Sequence, residues 1–247
     1  MGIVKSRGFT IIEVMLFLAV SGALAVAILV GSGVSIGQQR YRDSVNSLEE
    51  FIQSQYSNVT NVINDRDQTW TCDSTGKVSS DSVGTGQPRG TSDCVLLGRF
   101  ITIDPSGTKL SSADVVGYAN PNAPDATSDI LEFQTNYKLS ISPINQETDV
   151  VGWGAQVVKP KTTTPMPISM LILRSPLSGA VVSFVVNGVQ TDPNSMIAAA
   201  NMNQVTNLCV NATAGTFEGS RLAVQIGAYA TNQGAIQIVP GTANICD

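Results

Sequence analysis

Between Arg7 and Arg40 the chain carries one charged side chain, Glu13, at the head of an apolar stretch that includes "RGFTIIEVMLFLAVSGALAVAILVG". A carboxylate in hydrocarbon costs roughly 2.5–3.5 kcal/mol on insertion scales, so an acid placed there marks pairing or transport chemistry rather than packing. The other residues with chemistry to offer are the four cysteines, Cys72, Cys94, Cys209 and Cys246. No two of them have the CxxC spacing of a metal or redox motif. The chain has no histidine, which removes the commonest general base and zinc ligand together. Asp104 in "IDPSGTK" and Asp125 in "NAPDATSD" sit among turn residues, where aspartate and serine are expected. "DPSG" does not have the spacing of a calcium loop. No Gly-rich cradle follows a strand and opens a helix, and no nucleophile has a base beside it. These residues predict no enzyme, no metal and no cofactor.

All four cysteines follow the apolar stretch, which predicts two disulfides in an oxidising compartment. Three pairings are open. The local ones, Cys72–Cys94 and Cys209–Cys246, are favoured because each closes a modest loop, with about 3 kcal/mol available from constraining the unfolded chain. Charged residues make up only 13% of the chain and the net charge is −5. Ser, Thr, Asn, Gln and Gly take their place, a composition that suits an exported, β-rich protein. It lacks the basic footprint of a nucleic-acid binder. Lys159, Lys161 and Arg174 are the only loose candidates for a basic patch.

Residues 14–34 are 21 residues without a charge, enough to cross a bilayer as a helix. Lys5 and Arg7 before them predict a cytoplasmic N-terminus and an exported remainder. A cleavable secretory signal is disfavoured, because the stretch is too long and contains an acid. A plain signal anchor accounts for topology but not for the position of Glu13.

The run of glycine, phenylalanine, threonine, two aliphatics and glutamate in "RGFTIIEVM" resembles the class III leader of type IV pilins and type II secretion pseudopilins. The resemblance covers roughly residues 5–35 and does not extend past about 65. It implies a leader, 1–8, cut after Gly8 by a membrane prepilin peptidase, and Phe9 as the new, N-methylated terminus. It implies that Glu13 pairs with the N-terminal amine of a neighbouring subunit. The implied partners are the peptidase, other pilin or pseudopilin subunits, an inner-membrane assembly platform with its ATPase, and membrane lipid. The chain would wait as a single-pass inner-membrane protein before joining a surface filament or periplasmic pseudopilus. Many family members break the apolar helix with a proline; here none occurs before Pro88, though Gly22, Gly31 and Gly33 offer looser points.

Past the transmembrane and assembly segment, 9–36, Tyr41, Val45, Leu48, Ile52, Tyr56, Val59 and Ile63 recur at spacings of three and four. They form one stripe of an amphipathic continuation over 37–64 that needs a sheet to cover it. Residues 65–247 read as an exported β-rich domain. Strands are expected in "CVLLGRFITI", "DILEFQTNYKLSIS", "VVGWGAQVV", "PISMLILR", "AVVSFVVNG", "RLAVQIGAY" and "GAIQIV", with a hairpin turn at "ATNQG". In the second of these, Leu131, Phe133, Thr135 and Tyr137 are expected on one face. "SMIAAANMNQVTN" is open between short helix and ordered loop. Trp70 and Trp153 are expected to be packing anchors. The fold class is therefore α+β: a long N-terminal helix packed on antiparallel sheet, as in pilins. The large exported domain favours a minor pilin or pseudopilin. The competing readings are a signal-anchored extracytoplasmic binding protein or exoenzyme, and a DNA-binding competence pilin.

Overall fold

The computed structural model describes residues 10–61, 70–80, 92, 94–212, 221–242 and 245–246. Gly8, Phe9 and Ile63 lie outside the described residues, as does the rest of the leader. Helix α1 spans Ile11–Thr60, 50 residues, and closes on Asn61, whose amide donates to the Ser57 carbonyl. At 1.5 Å per residue it is about 75 Å long. It runs through Gly22, Gly31 and Gly33 without interruption. It is long and apolar enough to cross a membrane.

Twelve strands follow among the described residues: β1 (Trp70–Cys72), β2 (Val78–Ser80), β3 (Cys94–Ile103), β4 (Lys109–Ala119), β5 (Tyr137–Ile141), β6 (Glu147–Val150), β7 (Ala155–Val158), β8 (Ile168–Arg174), β9 (Val181–Asn187), β10 (Thr206–Ala212), β11 (Leu222–Ile226) and β12 (Ile236–Pro240). They form three antiparallel sheets. The largest runs β5-β4-β3-β8-β9, with β6 joining β4 beside β5; the second runs β12-β11-β10-β7; β1 and β2 form a small hairpin. The α+β class holds, with antiparallel sheet throughout.

The stripe on α1 explains how helix and sheets meet. Tyr41, Val45, Leu48, Ile52, Tyr56 and Val59 are all buried, in one cluster with Ile101, Ile103, Met170 and Ile172 of the large sheet and Leu208, Val210, Val224 and Ile236 of the second. The helix thus closes a core shared by both sheets. The other face of the large sheet is also covered. Leu97, Phe100, Leu171, Leu173 and Phe184 pack there with Phe133, Met196 and Ile197. Burial on both faces is why β8 reads "ISMLILR" with no apolar–polar alternation. Gly98 sits at a bulge between β3 and β4. A Cβ there would run into the Ile172 carbonyl of β8, so glycine is required for the two strands to pair.

Two expectations are corrected, and one left open is settled. The strand expected over "DILEFQTNYKLSIS" begins only at Tyr137, because Asp129–Leu131 is a helical turn and Glu132–Asn136 a π-helical one. The Ser128 hydroxyl accepts from the Leu131 amide, and the Thr135 hydroxyl donates back to the Leu131 carbonyl at 2.7 Å. These local bonds compete with a ladder and win. Leu131 is left exposed while Glu132 is buried, the reverse of the expected faces. "SMIAAANMNQVTN" is two short 3-10 turns, ending at Met196 and spanning Ala199–Asn201, before β10 begins. Trp153 is not a packing anchor: it is 62% exposed.

Both favoured disulfides form. Cys72–Cys94 has a Cα–Cα distance of 6.1 Å and closes 22 residues; Cys209–Cys246 has 5.7 Å and closes 37. The second is fully buried on the outer face of its sheet with Val158 and Ala223.

Candidate functional site

Helix α1 divides into two halves with different surroundings. Among its described side chains, none before Tyr41 is buried. Ile11, Met15, Phe17, Ile28 and Leu29 are all open to the surroundings, with no part of the globular domain against them. A contiguous apolar surface of this size is a place for lipid or for other protein. From Tyr41 onward the helix belongs to the domain.

Glu13 stands at the tip of the free half. Its carboxylate Oε2 accepts from both the backbone amide and the hydroxyl of Thr10, each at 3.0 Å. Its own amide donates to the Thr10 hydroxyl at 3.3 Å. This is a capping box. It satisfies otherwise orphaned donors at the helix start and puts a negative charge at the positive end of the helix dipole. Thr10 was legible in sequence as the first letter of T-x-x-E before an apolar run, a signal that the reading of Glu13 alone passes over. The box occupies one carboxylate oxygen, Oε2, leaving Oε1 for a further donor.

The docked half is locked by a buried ionic cluster around Arg99 of β3, which is 3% exposed. Its Nε donates to Oε1 of Gln55 on α1 at 2.8 Å, and Nη1 donates to Asp114 Oδ1 at 2.7 Å and to the Asn145 carbonyl at 3.0 Å. Nη2 donates to the Ser112 hydroxyl at 2.7 Å and lies 3.2 Å from Glu147 Oε2. The fork is thus satisfied from the helix, β4 and β6, which a buried guanidinium requires. Tyr41 adds a second tie: its hydroxyl donates to the Val210 carbonyl at 2.9 Å and accepts from the Leu222 amide at 2.6 Å. Tyr56 adds a third, donating to the Ser183 hydroxyl at 3.1 Å, and burial pushes its pKa up to about 12. Sequence patterning marked Tyr41 and Tyr56 as stripe residues. Arg99 inside "CVLLGRFITI" carried a signal, a lone arginine in an apolar strand, that pointed to a buried partner.

The remaining candidates resolve into structural roles. Asp104 closes the β3–β4 turn, its Oδ1 accepting from the Thr108 and Lys109 amides at 2.9 Å each. Partial burial acts to raise its pKa, but bonds from the Ser106 hydroxyl and those amides outweigh it and hold the carboxyl below its ordinary value. Lys159 and Lys161 lie in the loop after β7, whereas Arg174 ends β8 and donates to the Thr60 carbonyl at the helix end. The two lysines and the arginine are thus on separate elements. Among the described residues no group of three or more Cys, Asp or Glu could hold a metal ion. Comparison of the chain with family models, with curated proteins and with solved structures returns no match.

Proposed function

We propose that this chain is a structural subunit of a type IV pilus or type II secretion-like filament, most simply a minor pilin or pseudopilin. A prepilin peptidase would process it after Gly8 and methylate Phe9, and an inner-membrane platform with its ATPase would polymerise it with other subunits through α1. The observation that carries this reading is the division of α1: a domain-docked half, and an apolar half over residues 11–36 in which none of the described side chains is buried. Together with "GFTIIE" at its head, the free half is suited first to lipid and then to a bundle of identical helices.

Glu13 has a specific part in that exchange. In the lone subunit the capping box with Thr10 offsets some of the cost of holding the carboxylate near hydrocarbon. On assembly the neighbour's N-terminal amine supplies a charge-assisted partner, worth more in a low-dielectric bundle than in water. A subunit inserted out of register leaves the carboxylate without that amine, so the pair acts as a register check. Glu13→Ala should leave leader cleavage intact and strongly reduce incorporation into filaments. Normal incorporation of Glu13→Ala subunits at wild-type levels of protein would overturn this role.

A further inference from the structure

Trp153 is held where a tryptophan has no reason to be in the isolated subunit. It is 62% exposed, and its backbone lies in the left-handed region at φ 55°, which costs a bulky residue about 1–2 kcal/mol. Gly154 follows at φ 70°, completing the sharp reversal that turns the indole outward. The strand end before it is fixed: the Ser44 hydroxyl donates to the Gly152 carbonyl at 2.8 Å, and the Val151 amide donates to the Thr108 carbonyl at 2.8 Å. The guanidinium of Arg40 lies over the ring, 4.8 Å from its centroid.

The pair sits at a particular level of the molecule. Arg40 is the last residue of α1 before the first buried one, Tyr41, so it marks where the helix leaves the domain. It is six residues past the end of the apolar run at position 34, or roughly 9 Å along the axis. Helical side chains lean toward the N-terminus, which carries the Arg40 head group back toward the apolar run. The headgroup layer on each side of a bilayer is roughly 5–8 Å deep, so the guanidinium and indole fall within or at its edge. Val150, three residues before Trp153, is also exposed, and the neighbouring Asp149 carboxylate accepts from the Val150 amide at 2.7 Å. An indole with an arginine over it is the pairing suited to that layer: apolar body, polar rim, and a cation facing phosphate.

We infer that Trp153 and Arg40 form a platform that seats the globular domain on the phospholipid headgroups around α1, with the guanidinium on lipid phosphate. The inference rests on the reading of α1 as a membrane span. It gives the domain a preferred tilt and height on the bilayer while the subunit waits to be assembled.

The test uses the full chain carrying Trp70→Phe, which leaves Trp153 as its single tryptophan, in vesicles of phosphatidylethanolamine and phosphatidylglycerol. With nitroxide on the lipid headgroup, Trp153 should lose most of its emission; with nitroxide at the acyl-chain end it should keep most of it. Arg40→Gln should weaken headgroup quenching while the protein still floats with the vesicles. If the protein floats but Trp153 stays open to acrylamide and indifferent to labelled lipid, the platform is wrong and the span survives. If the protein does not float, span and platform fall together. If Trp153 becomes shielded only in assembled filaments, its partner is a neighbouring subunit, and the lipid assignment is overturned.

Discussion

At the scale of single residues, Arg99 is the side chain whose partners matter most to the domain. Five acceptors surround it, and only Glu147 among the charged ones is half open to solvent. Removing one partner of a buried pair leaves an uncompensated charge, so Asp114→Ala should destabilise the domain by about 3–5 kcal/mol in denaturant titrations. Arg99→Met together with Asp114→Leu, which removes both buried charges and keeps the bulk, should cost less. Tyr56 makes a separate, pH-dependent contribution. Its folded pKa of about 12 lies above the ordinary tyrosine value of about 10, so the folded state resists losing this proton. The stabilisation is complete below about pH 10 and is lost as pH rises toward 12, an amount of about 3 kcal/mol for a shift of this size. Tyr56→Phe should flatten the alkaline limb of the stability curve over that window; an unchanged limb would show that another group titrates there.

At the scale of elements, the two halves of α1 should respond differently to the same kind of substitution. Leu48→Ala or Ile52→Ala opens a cavity between helix and sheets and should cost about 2–5 kcal/mol of domain stability. Ile28→Ala or Leu29→Ala, in the free half, should leave domain unfolding unchanged, which circular dichroism melts of the membrane-embedded chain can compare directly. Gly98→Ala should be among the most damaging small substitutions in β3, because the added methyl meets backbone that cannot move aside. The helix was legible because its signals are periodic and long: a charge-free run, then a stripe at three and four. The cysteine pairing was legible because loop length favoured local closure. The π-helical turn at Glu132–Asn136 was not, because alternation in "LEFQTNY" mimics a strand and the competing bonds, such as Gln134 to the Ile197 carbonyl at 2.6 Å, join residues distant in sequence. The exposure of Trp153 was hidden for the same reason: it depends on where Arg40 and Ser44 stand relative to the Gly152–Gly154 turn. At the site, Glu13 could be read from its surroundings and the T-x-x-E pattern at Thr10 was there to be read, while the partners of Arg99, which come from four distant segments, required the fold.

At the scale of the whole molecule, the chain joins a domain stabilised from within to a helix half with no partner of its own. The domain has a shared core, a buried ionic tie and two disulfides, so it does not need the free half to hold together. The free half offers an apolar surface to a partner; under the proposed function that partner is lipid first and sister helices afterwards. That assignment depends on a mature N-terminus at Phe9, because only then does a free amine stand beside Glu13 of the next subunit. The intact mass of the protein purified from its native membrane measures this directly. The expected mass lacks residues 1–8 and carries one added methyl group, located on Phe9 by fragmentation. A mass that retains the residues through Gly8 would contradict the account.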